Sequence, residues 1–185
     1  MEQYLHTLQD VPLQDRFSEG ILLTLIENAP LVLRDPDNYN ARANVMLCAA
    51  MALNNLIAMG TNQDWATHGI EHEFSGIYDI PHGAGLAIIT PRWMKAILGQ
   101  KEAKIAHYGR RVWGLNGSDH RVAGEAIQKT YDFFKSLNIK MDLSEWGIGD
   151  ENFEKITDKL VTNKIGELPL NRKQITQILI NSLAS

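Results

Sequence analysis

A single cysteine, Cys48, stands in 185 residues, which excludes an intrachain disulfide framework and fits a reducing cytoplasm. It lies in the apolar run from Val45 to Leu53, where a thiol behaves as a small buried side chain. Positive charge is not in excess either: 18 Lys and Arg against 22 Asp and Glu leave a net charge of −4. With no basic field to hold a phosphate backbone, nucleic acid is not an expected partner. No apolar run approaches the roughly 20 residues that a bilayer span requires, so no membrane partner is expected. The opening residues, from Met1 to His6, do not pattern as a signal peptide. Walker-type loops, a nucleophile elbow and a Gly-x-Gly-x-x-Gly turn after a strand are all missing. So are strand-period alternation, internal repeats and low-complexity linkers.

What remains is an ordinary globular composition, 44% hydrophobic and 22% charged, in a chain long enough for one domain with a sizeable core. Almost every segment reads as helix, and the fold class expected is all-α, a multi-helix bundle over residues 1–185. Asp15 to Leu33 carries a helical stripe through Phe17, Ile21, Leu22, Leu25, Ile26 and Ala29, with Pro30 expected to end or kink it. Asp37 or Asn38 starts a helix through Leu53, stopped at Gly60; Thr61 or Asn62 opens the next, as far as Gly76. After Pro81 a helix runs from His82 through Ile97, bent at Pro91, and a shorter amphipathic segment spans Lys101 to Trp113. Further helices follow from Ser118 or Asp119 to Leu137, from Asp150 to Thr162, and after the cap Asn171; Asn138 to Gly149 is irregular.

The stretch from Asp64 to Pro91 organises the rest, because it holds three of the six histidines and a glycine-rich turn. His68 and His72 are four residues apart and share a helix face. His82 lies fourteen residues beyond His68, about 21 Å away along an unbroken helix at 1.5 Å per residue. A shared metal ion needs each imidazole nitrogen within about 2.1 Å, so the chain must reverse, and Gly76, Asp79 and Pro81 can reverse it. Two readings stay open: His68 and His82 share a metal, or they pack at a helix–loop–helix corner with each ring satisfied by a backbone carbonyl. His72 is a third ligand, a proton-transfer group, or an ordinary helix-face residue. It does not belong to a His-Glu-x-x-His protease helix, because position 76 is Gly. Gly83 and Gly85 admit the close approach of a metal, a substrate or a neighbouring backbone. His6, His107 and His120 read as surface or half-buried residues.

Trp65-Ala-Thr-His68, His72-Glu-Phe-Ser-Gly76 and Pro81-His82-Gly-Ala-Gly85 closely resemble, in order and spacing, the metal-binding region of the iron-containing alcohol dehydrogenases. The likeness is strongest to their NADPH-dependent butanol dehydrogenase and aldehyde reductase branch. Gln14 to Glu27, Tyr39 to Met46 and Arg111 to Trp113 extend it across most of the chain. The resemblance implies the helical C-terminal domain of the dehydroquinate synthase-like fold, in an enzyme whose N-terminal Rossmann-like domain holds NADP(H). It implies Fe(2+) or Zn(2+) held by one aspartate and three histidines, with His68 and His82 as the third and fourth ligands. His72 matches a non-ligand histidine near the nicotinamide and substrate, where it relays a proton. Primary alcohols and aldehydes are the implied substrates.

The chain departs from the family in beginning just after the aspartate and first histidine, so the nucleotide-binding domain is expected to be absent. His6 does not fill the missing ligand position. The fragment alone is expected to be inactive, to bind no NADP(H) and to expose apolar surface that favours a homodimer, with Met1 to Pro12 its loosest part. The competing expectation is a helical binding or assembly module without catalysis of its own.

Overall fold

Helical periodicity sets most of this architecture, and capping groups set its corners. The computed structural model describes residues 1–7 and 10–183. Among them are eight α-helices and no strand: α1 (Pro12–Arg34), α2 (Tyr39–Leu53), α3 (Ala66–Tyr78), α4 (His82–Ala96), α5 (Leu98–Trp113), α6 (Asp119–Ser136), α7 (Phe153–Asn163) and α8 (Arg172–Leu183). Two short 3-10 turns, Glu2–Leu5 and Leu143–Trp146, complete the set. The all-α class expected from the sequence is the one observed.

Several boundaries differ from expectation for local reasons. α1 opens at Pro12 rather than Asp15, since proline's fixed φ suits a first helical turn. Pro30 sits inside α1, which runs on to Arg34; one hydrogen bond is lost on a largely solvent-facing helix, where water can reach the freed carbonyl. α2 begins after Asn38, whose Oδ1 accepts the Ala41 N–H at 3.0 Å, and ends at Leu53, short of Gly60. α3 opens at Ala66 rather than Thr61 or Asn62, following a side-chain turn in which the Asp64 Oδ1 accepts the Ala66 N–H at 3.0 Å.

α4 lies at the centre, packed against α3, α6 and α8, with Ile88, Ile89, Trp93 and Met94 fully buried. α5 and α6 pack closely, and Gly109 makes that approach possible: a Cβ there would lie 2.7 Å from the Val122 Cγ1. α2 packs chiefly on α1. The α1–α2 hairpin leaves Leu13, Tyr39, Met46, Leu47 and Leu53 exposed. No helix among the described residues is long and apolar enough to cross a membrane.

The start of the chain corrects an expectation. Instead of being loose, residues 2–6 are buried, with Tyr4 and Leu5 in the main core and the Tyr4 hydroxyl donating to the Glu19 Oε1 at 2.9 Å. Leu8 and Gln9 lie outside the described residues. His6, expected at or near the surface, is buried with its Nε2 3.1 Å from the Asp15 Oδ1, while its Nδ1 has no partner among the described residues. Burial, helped by the nearby Lys104, holds its pKa below the ordinary 6.5. A lowered folded pKa means that the unfolded chain takes up the proton first. His6 therefore contributes stability that is present above about pH 6.5 and is lost as pH falls through its folded value. In urea titrations between pH 7.5 and 5, His6→Gln should show a flatter fall in stability than the unsubstituted chain. Parallel slopes would remove His6 from this role.

Candidate metal centre

The site begins at the N-terminus of α3. Thr67 lies in its first turn, and the buried carboxylate of Glu2 sits against it, accepting the Thr67 N–H at 3.1 Å and the Thr67 hydroxyl. Free amides and the positive end of the helix dipole favour an anion at this place. The same carboxylate lies on the His68 ring, 2.7 Å from Nδ1. Trp65 meets that ring edge-on at 5.0 Å between centroids.

α3 continues through Gly76 and closes at Asp79, which is left-handed (φ 53°, ψ 33°) and donates its N–H to the Ser75 carbonyl at 3.1 Å. Pro81 then opens α4, its carbonyl accepting the N–H groups of Ala84 and Gly85 at 2.9 and 3.1 Å. Asp79 and Pro81 thus make the reversal, while Gly76 remains inside α3.

The corner brings the three histidines together. Ring centroids are 5.3 Å apart for His68 and His82, 6.1 Å for His68 and His72, and 5.4 Å for His72 and His82. His68 is half-buried; His72 and His82 are exposed. From the α3 face towards α4, the fully buried Glu71 places its Oε2 in hydrogen-bond contact with the His82 Nδ1. Gly85 leaves room for this, because a Cβ there would lie 2.6 Å from the Glu71 Cγ. The close approach that the glycine was expected to admit is therefore made by a side chain of α3.

Carboxylates, and not the backbone carbonyls of the packing alternative, hold the Nδ1 atoms of His68 and His82. A ring whose Nδ1–H is donated keeps a lone pair on Nε2, the form that binds a divalent cation. The donor set at this corner fits such an ion. Glu71, His72 and His82 also offer one ligand atom each within 4.8 Å of one another, but the Glu71 carboxylate is already committed to His82 and suits a partner of the ring better than a ligand. His107 and His120 stand away from this corner, near Glu19 and Glu102 and partly or largely exposed.

The histidine corner is an open face. A hollow of about 200 Å³ adjoins it, lined by His72, Glu73, Gly76, Ile77, Lys155 and Lys159 among others. Larger cavities, of about 440 Å³ beside His6 and about 500 Å³ beside Arg92, lie elsewhere. Sequence reasoning missed Glu2 and Glu71. For Glu71 a signal existed, since it follows His68 by three residues on the same helix face. For Glu2, 65 residues from Thr67, none did.

Residues 1–183 match the model of the Fe-containing alcohol dehydrogenase family, C-terminal. The chain is 38% identical over 188 residues to NADH-dependent butanol dehydrogenase A of Clostridium acetobutylicum, covering 98% of this chain and 48% of that protein. It is 41% identical over 172 residues to the NADPH-dependent aldehyde reductase YqhD of Escherichia coli, covering 92% and 44%. The substrate- and cofactor-free structure of that reductase superposes with a TM-score of 0.92, across 98% of this chain and 49% of that one. An NADH-dependent butanol dehydrogenase A from Thermotoga maritima, 30% identical, also gives 0.92, over 99% of this chain and 49% of that one. The chain spans about half the length of the relatives it matches. It belongs to the Fe-containing alcohol dehydrogenase family, and corresponds to the C-terminal, helical part of that family's fold.

Proposed function

We propose that residues 1–185 are the helical domain of a metal-dependent, NAD(P)-linked alcohol dehydrogenase or aldehyde reductase, with His68 and His82 as metal ligands. The observation that carries this reading is the convergence of His68 and His82, 5.3 Å between ring centroids, each with its Nδ1 on a buried carboxylate. Fe(2+) or Zn(2+), either of which imidazole accommodates, supplies a Lewis acid for the substrate oxygen when bound. His68 and His82 hold two coordination positions and leave the others to groups from outside this chain. His72, one turn beyond His68, hydrogen-bonded to no side chain among the described residues and open to solvent, is placed to move a proton between substrate and water. The names of the relatives favour primary alcohols and aldehydes as substrates.

No residue of this chain is assigned to NADP(H), which a separate nucleotide-binding domain would hold. Hydride donor and acceptor are then brought together only when both halves are present. The exposed apolar residues of the α1–α2 hairpin suit contact with that half or with a second copy of this chain. The same surface favours a second reading, a helical binding or assembly module without catalysis. A single buried cysteine and the absence of a membrane-length helix among the described residues fit a cytoplasmic setting.

The test is fusion to a nucleotide-binding half from the same family. The fused protein should retain one divalent ion and reduce butanal with NADPH, while the chain alone binds the ion weakly and does not reduce butanal at an enzymatic rate. A chain that reduces aldehydes unaided overturns the division of labour. A fusion that is folded and binds NADPH, yet holds no metal, favours the assembly module.

A further inference from the structure

Three imidazoles meet at the corner, but only two are held. We infer that Glu2 and Glu71 are positioning residues, each fixing the Nδ1–H tautomer and ring orientation of one histidine, so that His68 and His82 present Nε2 lone pairs together while His72 stays free to turn. This rests on the reading of His68 and His82 as metal ligands and gives that site its supporting groups.

A neutral imidazole carries one N–H, and an ionised carboxylate can only accept. With the Glu2 Oε2 2.7 Å from the His68 Nδ1, and the Glu71 Oε2 on the His82 Nδ1, the proton of each ring belongs at Nδ1. Neither carboxylate can swing away. Glu2 is tied by the N–H and hydroxyl of Thr67. Glu71 is enclosed against Gly85, where a Cβ would lie 2.9 Å from its Oε1 and 2.6 Å from its Cγ.

Glu71 also carries a cost that packing does not explain. Its Oε1 is buried with no hydrogen-bond partner among the described residues, and its side-chain polar contact there is with His82. An apolar side chain of similar length would fill that space without the desolvation penalty. What the carboxylate adds is control of the ring, and a stronger donor at Nε2. His72, hydrogen-bonded to no side chain among the described residues, can reorient and exchange its proton. Two fixed rings and one mobile ring divide the work of the site.

Two-bond ¹H–¹⁵N correlation spectra of the labelled, metal-free chain at pH 8, above the ordinary histidine range, read each tautomer directly. His68 and His82 should show Nδ1–H, with His72 as the internal reference. In Glu71→Gln, whose amide can either accept or donate, His82 should become a mixture while His68 is unchanged; Glu2→Gln should do the reverse. Zn(2+) followed on the same signals should bind about 10- to 100-fold more weakly to Glu71→Gln. An Nε2–H tautomer at either ring of the unsubstituted chain overturns the inference, whether or not the variants fold. So does a Glu71→Gln variant with unchanged tautomer and unchanged Zn(2+) affinity. Zn(2+) that moves neither ring in the fused, NADPH-binding enzyme overturns the ligand reading instead, a result separable from tautomers that need no metal.

Discussion

Lys101→Met is expected to destabilise the chain by about 3–5 kcal/mol at neutral pH, the cost of leaving a buried ionic partner uncompensated. The Lys101 ammonium is buried in α5 and donates to the Leu5 carbonyl at 2.5 Å, the Asp64 Oδ2 at 3.1 Å and the Glu167 Oε2 at 3.0 Å. Methionine keeps the length and apolar stem, so the change removes mainly the charge and these bonds. Burial already raises the Asp64 pKa, with Lys101 opposing it. Burial acts the same way on Glu167, but hydrogen bonds from Thr7 and Lys101 outweigh it and hold that carboxyl below its ordinary value.

Without Lys101, the Asp64 carboxyl should rise further above its unfolded value, and the Glu167 carboxyl should rise from its lowered one, with only the Thr7 hydrogen bonds still opposing burial. The folded variant then binds more protons than the folded unsubstituted chain, so it gains stability relative to it as pH falls. The unsubstituted chain behaves oppositely at Glu167, whose contribution is present above the ordinary carboxylate value of 4.5 and fades as pH falls through its lowered folded value. The deficit should therefore narrow from pH 7.5 to 4.5 in urea denaturation. A deficit below about 1 kcal/mol at pH 7.5, within the range of exposed ion pairs, or one that widens in acid, would sink this account. Leu5 and Asp64 flank the segments that carry Glu2 and the start of α3, so the His68 signals should shift in the variant as well.

Lys101 shows where the sequence stops being informative. Lysine is a surface residue in most contexts, and nothing near position 101 announces partners at 5, 64 and 167. His6 was misread for the same reason: its burial depends on how residues 2–6 pack, not on its neighbours in the chain. Local signals fared better. Ile175, Ile178 and Leu179 lie at helical spacing and are fully buried in α8. The corner joining His68 to His82 was legible because its punctuation, Asp79 and Pro81, lies between them. The family likeness was legible in the residues about that corner. Glu71 falls between these cases, on the right face of α3 but interpretable only once α4 is folded against it.

His82→Ala and His72→Ala should separate the two roles assigned to the corner when compared in the fused enzyme. Losing His82 removes the ligand proposed beside Glu71, whose carboxylate meets its Nδ1, so metal content and activity should fall together. Activity should drop on the order of 10³-fold, matching the several kcal/mol that a Lewis acid contributes at about 1.4 kcal/mol per tenfold. The Glu71 carboxylate would also be left buried without its partner, for a further loss of about 1–3 kcal/mol in stability. Thermal unfolding must therefore accompany the assay, to show that the inactive variant is folded at the assay temperature. His72 is exposed and is held by no carboxylate among the described residues, so its loss should leave the His68 and His82 rings in place and let water reach the same position. Turnover should slow roughly 10²-fold, the low end for general acid–base groups, with metal content nearly unchanged and some recovery from added imidazole. If His72→Ala strips the metal, or His82→Ala keeps it, the roles assigned to these two histidines are wrong.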